Sequence, residues 1–290
     1  MKLLNNLLIV SLFIVACSTE RIEPENDQGE YESAEEFLES EKPEEQEVEI
    51  TKDGEGPIIG KNGTKIWLGK DILQYPNGDS VTYPFTIKLI ELYTPKDMIL
   101  SRMPTVSGQQ LLTCHGEVRV RAYKDDVELM LRPDALWKLE VPNNTPYADM
   151  ICYYGNNVDA NANWTNEFET LFTPISDGYS GLIERLGWVS CAKPAFSDEP
   201  TVQYSFYSDS INISSFSTFL YLPELDGVMQ SAATSYNIPL DEELKTVSVA
   251  SKADTLYTYY KYTIVGDETS IELIPENTSD AEFIQLLNNL

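Results

Sequence analysis

The chain reads as an all-β protein, with two antiparallel β-sandwich domains carried behind a disordered acidic tether and a short helix at the C-terminus. Three observations lead there. Between residues 57 and 275, short runs rich in Val, Ile, Tyr, Phe and Thr mostly alternate apolar with polar positions, the period of a half-buried strand. Turn formers separate the runs, among them Asn77-Gly78, Lys124-Asp125-Asp126, Pro142-Asn143-Asn144 and Gly266-Asp267. Strands this short with turns this frequent argue for sandwiches rather than a parallel α/β sheet.

In chain order, Met1-Lys2 supplies one positive charge, and Leu3 to Ala16 is apolar except for Asn5, Asn6 and Ser11. A run this short falls below the ~20 residues needed to cross about 30 Å of hydrocarbon, and it suits an export signal over residues 1–16. Ile14-Val15-Ala16-Cys17 resembles the bacterial lipobox. That resemblance implies cleavage before Cys17 and acylation of its thiol and amine. Three acyl chains at ~0.8 kcal/mol per buried methylene hold a protein on a bilayer without help from the folded part.

Residues 17–56 are expected to form the tether. From Ser18 to Gly56, sixteen Asp and Glu stand against Arg21, Lys42 and Lys52, a net charge of −13 with few apolar residues. Low hydrophobicity with high like charge predicts an extended, self-repelling segment, with no more than a transient helical turn in Ser33 to Glu45. The acids at Glu20, Glu23 and Glu25 resemble the lipoprotein export signal of Bacteroidota, which implies the outer membrane and its outer face; the periplasmic face is the alternative.

The rest of the chain is also acidic, with 31 acids against 16 Lys and Arg, within a formal net charge of −27 for the whole. Nucleic acid is therefore not an expected partner. The remaining length suits two modest domains, placed at 57–155 and 156–275, with a helix at 276–290. In Gly116 to Tyr123, Val118, Val120 and Ala122 fall on one face, and Arg119, Arg121 and Tyr123 on the other. Thr94, Pro95 and Asp97 predict the start of a short helix over 94–102. Ser279 and Glu282 predict a capping box, followed by the stripe Phe283, Leu286, Leu287 and Leu290, which the second domain is expected to seat.

Residues that could carry chemistry are few. His115 is the single histidine, and on a strand it points away from its neighbour Cys114, so a Cys-His nucleophile is not expected. The same geometry disfavours zinc on Cys114, His115, Cys152 and Cys191, and leaves His115 as a surface or turn residue. With Cys17 acylated, three thiols remain in a compartment that permits disulfides, and three pairings are open to them. Cys152 with Cys191, flanking the inter-domain stretch, is the favoured pair; three buried free thiols is the alternative. Asp159, Asn161, Asn163 and Glu167 offer calcium-type oxygens, but Trp164 sits where the turn glycine belongs and Thr170 where the bidentate Glu belongs. A polar connection pinned by Trp164 and Phe168 is the plainer reading. On the strand Leu256 to Val265, Tyr257 and Tyr259 share a face and are candidates for a ligand-facing aromatic surface. The plainer reading is a central strand whose rings pack in the core. No cofactor is expected.

Residues 63–142 resemble the N-terminal β-sandwich of uncharacterised Bacteroidota surface lipoproteins. The resemblance rests on Gly63-Thr64, Gly78 to Val81, Glu91, Asp97 to Pro104, Gly116 to Ala122 and Leu129 to Pro133, and it departs at 69–74. The same span is distantly similar to the sandwich of ankyrins and netrin receptors, and Gly187 to Phe196 resembles the element that opens the second half of the Bacteroidota group. The resemblance implies no catalytic residue. It implies a non-enzymatic surface lipoprotein with a binding, adhesion or envelope-structural role toward a glycan or protein ligand. The competing class is a carbohydrate-active accessory protein or hydrolase using carboxylates that the sequence does not pair. In the same group, Asp79-Ser80-Val81, Asp209-Ser210-Ile211 and Asp254-Thr255-Leu256 resemble signals for O-glycosylation.

Overall fold

A computed structural model describes residues 31–290, apart from 55, 157–159, 162, 198 and 267–268. The expected signal, Cys17 and the tether up to residue 30 lie outside the described residues. The first part of the fold contains α1 (Ala34–Glu41), β1 (Gln46–Ile50), β2 (Ile58–Ile59), β3 (Lys65–Trp67), β4 (Phe85–Leu92), α2 (Pro95–Leu100), β5 (Gln110–Lys124) and β6 (Trp137–Pro142). It continues through β7 (Ile151–Tyr154), β8 (Thr173–Ile175), β9 (Gly178–Ile183) and β10 (Gly187–Pro194).

These strands form two facing antiparallel sheets, one ordered β1-β4-β5-β10-β7 and the other β8-β9-β6-β3-β2. The period-2 pattern sets the register. Leu89 opposes Val120, Ile87 opposes Ala122 and Val118 opposes Val189, so the inward row of one sheet meets Ile66, Trp137, Leu139 and Tyr179 of the other. At the end of β4 the alternation gives way, and Ile90 and Leu92 are buried along with Leu89. Helices cover the opposite face there.

The second sandwich follows with β11 (Phe216–Leu222), β12 (Gly227–Ser231), β13 (Glu243–Lys252), β14 (Thr255–Ile264), β15 (Glu276–Asn277) and then α3 (Asp280–Leu287). Its main sheet is ordered β12-β11-β13-β14-β15. Every residue of β11 is buried because both of its faces are covered. Phe216, Leu220 and Leu222 enter a core closed by the parallel pair Ser205–Tyr207 and Ser270–Glu272, which supplies Phe206 and Ile271. Phe219 and Tyr221 face the helices instead.

Three expectations are corrected. The tether does not extend to residue 56. Ala34, Phe37 and Leu38 form an i, i+3, i+4 triad that buries completely, while the glutamates of α1 face outward. Phe37 packs edge-on against Phe283 at 5.5 Å, and the Tyr31 hydroxyl donates to Asp280 at 3.0 Å. β1 then joins the first sheet, and both carboxylate oxygens of Glu45, just before it, accept from Arg121 Nη2 at 2.6 and 2.8 Å. Charge counting missed this because both partners lie far along the chain.

The boundary at 155 is also displaced. β10, expected to open the second half, lies between β5 and β7, so the first sandwich reaches Pro194. Finally, α3 has the expected capping box, but its Phe283 and Leu287 sit in the helical layer shared by both sandwiches, not within the second alone. α2 begins at Pro95 with Thr94 as its N-cap, as expected, and Asp97 completes a capping box there.

Candidate functional site

The two sandwiches meet beside a cleft of about 770 Å³. Its walls come from the start of α2 (Thr94, Lys96, Asp97), the loop after β6 (Asn143, Asn144, Thr145, Tyr147), Asp226, Asn288 and the pair Cys114-His115. A β-bulge creates this corner. Ser190 opposes Glu117 and Ala192 opposes Cys114, so His115 and Gly116 together face Cys191. The extra residue reverses the alternation of β5, re-aiming a side chain as bulges do. Leu112 and Cys114 therefore turn toward the helical layer, whereas His115 turns toward Tyr179 of the facing sheet. Gly116 has φ +148°, and a Cβ there would overlap the Tyr93 ring, so the corner requires glycine.

His115 is not the surface or turn residue expected; its side chain is only 7% exposed. Its Nδ1 lies 2.9 Å from the Tyr179 hydroxyl, and that oxygen also accepts the Tyr147 N–H at 3.0 Å. Tyr179 is fully buried, so its own proton needs an acceptor, and His115 Nδ1 is the acceptor in place. In neutral His115 the proton then resides on Nε2, which points toward Asp226 Oδ2 at 3.7 Å. That gap is too long for a direct hydrogen bond. Asp226 is more than half exposed and is fixed by its own left-handed backbone, φ +47°, while its carbonyl accepts the Cys114 N–H.

Tyr147 forms the rim, 37% exposed, with the His115 ring edge-on at 4.7 Å and Lys193 Nζ 4.2 Å from its ring centre. Burial pushes the Tyr147 phenol up to about 12, and Tyr179 adds to the shift, so Tyr147 is a neutral donor at ordinary pH. Cys114 is unsuited to attack a substrate. Burial first, then Glu117, raises its thiol far above the ordinary range, and its Sγ faces Ser190 Oγ at 3.3 Å, away from His115. Asp97 is likewise engaged, since its carboxylate accepts the N–H and hydroxyl of Thr94 in the cap of α2.

The other sequence candidates do not converge. Asp159 lies outside the described residues. Asn161 gives its N–H to the Arg102 carbonyl, Asn163 gives its own to Asn156, and Glu167 pairs with Arg185 at 3.5 Å. Among the described residues, no group of three His, Cys, Asp or Glu is placed to hold a metal ion. Trp164 does pin that connection, fully buried and donating to the Pro104 carbonyl, while Phe168 is 46% exposed. Tyr257 and Tyr259 are not a ligand-facing pair: both are half-buried against the core of the second sandwich. Tyr260 and Tyr262 carry the exposed rings of β14, at 44% and 50%. Period-2 alternation separates the two faces but does not say which is covered. Cys114, Cys152 and Cys191 are all buried free thiols, so the expected Cys152–Cys191 bridge is not formed in this structure.

Sequence reasoning missed Tyr147, Tyr179 and Asp226. They come from three separate segments, and the only pointer to them was the solitary histidine whose partners they are. No family model, curated protein or solved structure matches this chain.

Proposed function

We propose that this chain is a lipoprotein of the outer membrane, lipid-anchored through Cys17 and facing the cell exterior, that binds a neutral carbohydrate in the His115 cleft without transforming it. The anchor rests on the sequence, through the export-signal pattern of residues 1–16 and the lipobox-like Ile14 to Cys17. Among the described residues no helix is long and apolar enough to cross a membrane. The folded part begins by Tyr31, so thirteen residues, 18–30, separate it from the anchor and it stays within about 50 Å of the bilayer.

The observation that carries the ligand reading is the donor and acceptor at the cleft wall. A hydroxyl that accepts from His115 Nε2 and donates to Asp226 satisfies both at once. Around that pair the lining is rich in amides and hydroxyls, from Asn62, Asn143, Asn144 and Thr145, which suit further hydroxyls of the same ligand. The net charge of −27 disfavours polyanionic ligands. Carboxylate chemistry is the second reading, because Asp97 and Asp226 both border the cleft. The engagement of Asp97 in its helix cap counts against it.

The test is a glycan array probed with residues 31–290, followed by calorimetry on any hit with His115→Ala and Asp226→Asn. Binding of neutral glycans that both variants weaken at least tenfold supports the reading. Uniform silence, or binding that neither variant changes, overturns the assignment to this cleft, and release of reducing ends from a bound glycan moves the protein to the hydrolases. Replacing Cys17 by Ser tests the anchor separately, by fractionation and surface proteolysis.

A further inference from the structure

Strand register selects one of the three cysteine pairings that the sequence leaves open. Cys152 on β7 and Cys191 on β10 are direct partners in an antiparallel ladder. The Cys152 N–H donates away from β10, to the Thr170 carbonyl at 2.7 Å, and the Gly155 N–H donates to the Trp188 carbonyl three residues on. Hydrogen-bonded and non-hydrogen-bonded pairs alternate, so 155 with 188 is bonded and 152 with 191 is not. A non-hydrogen-bonded pair brings its Cα atoms to about 4.5 Å, inside the window a disulfide spans. Both side chains enter the same core and neither is exposed. Cys114 belongs to the other side of the sheet: it opposes Ala192, and its sulfur faces Ser190.

We infer that Cys152 and Cys191 are the chain's disulfide site, oxidised while the protein folds, and that the bond fastens β7, the last strand of its sheet, to β10. The inference rests on the export reading only for its setting, an oxidising compartment. Exchange precedes closure of the core, because burial raises both thiols and removes them from reach in the folded sheet. The oxidant is a disulfide donor, either an oxidoreductase or a small-molecule disulfide. One cysteine thiolate attacks a donor sulfur and expels a donor thiolate; the second attacks the mixed disulfide and expels the other. Two protons leave the cysteines, two electrons pass to the donor, and the donor ends as two thiols.

The test refolds reduced, denatured residues 31–290 in a glutathione redox buffer, quenches with iodoacetamide in denaturant, and maps the peptides without reductant. The expected product links the Cys152 and Cys191 peptides and carries label on Cys114 alone. Cys114→Ser should leave the link intact. Oxidised protein should unfold at a higher urea concentration than reduced protein, a difference that Cys191→Ala removes. As a second route that does not depend on refolding, the full chain is alkylated directly on lysis of cells that export it. Label on all three cysteines by both routes, or a bridge that includes Cys114, overturns the inference. Neither result bears on the His115 cleft.

Discussion

Glu117 offers the sharpest test of how this fold is balanced. It lies in the middle of the first sheet, opposite Leu92 on one side and Ser190 on the other, with no exposure and, among the described residues, no hydrogen-bond partner for either carboxylate oxygen. Desolvation raises its carboxyl well above the ordinary 4.5. Below that ordinary value both folded and unfolded chains are protonated, and Glu117 adds no pH dependence. As pH rises through it, the unfolded chain ionises and is stabilised, while the buried carboxyl stays neutral. Native stability therefore falls by about 1.4 kcal/mol per pH unit until the folded value is reached.

Glu117→Gln keeps the shape and polarity but cannot ionise. The unfolding free energy of the variant minus that of the wild type should be near zero around pH 4.5 and climb by about 1.4 kcal/mol per unit above it. Subtraction cancels the other titrating groups, which matters in a chain with a net charge of −27. Urea unfolding at half-unit steps from pH 4.5 to 8 measures it. A difference that does not change with pH would refute the reasoning, since it would mean that Glu117 ionises equally in both states.

Three further outcomes are expected. Phe37→Ala should cost about 3–5 kcal/mol by urea unfolding, because this ring of α1 is fully buried and packs against Phe283; a cost below about 0.5 kcal/mol would mean that α1 is not part of the folded body. Glu91→Ala should cost at least about 3 kcal/mol by the same measurement, since that buried carboxylate accepts bonds from Gln46, from the N–H groups of Asn62 and Thr64 and from the Thr64 hydroxyl. Tyr179→Phe should cost about 1–3 kcal/mol in thermal or urea unfolding and weaken ligand binding in the cleft, because it removes the partner of His115 Nδ1 and of the Tyr147 N–H together; wild-type affinity in the variant would show that Tyr179 does not set the histidine.

How much of this was legible beforehand depended on the range of the interaction concerned. The alternation of Val118, Val120 and Ala122 is a local property, and those three side chains are fully buried in the first core. The N-cap at Thr94 and the capping box at Ser279 are equally local, since each closes within three residues, and both form. The segment Ser33 to Ile50 misleads because its charge is local and its partners are not. Phe37 needs Phe283, and Glu45 needs Arg121.

What the sequence determines by itself is therefore the β class, the two helix starts, the acidic character, and the separation of faces along each strand. Only the tertiary structure decides which faces are covered, where one sandwich ends, and which groups meet His115. The reason is physical: a side-chain period repeats every two residues and says nothing about absolute direction, so one inserted residue reverses it. The bulge at His115 and Gly116 is that insertion, and it turns His115 toward Tyr179 and Cys114 toward Ser190. Register likewise exists only between strands, which is why the partner of Cys152 emerges when β7 lies beside β10.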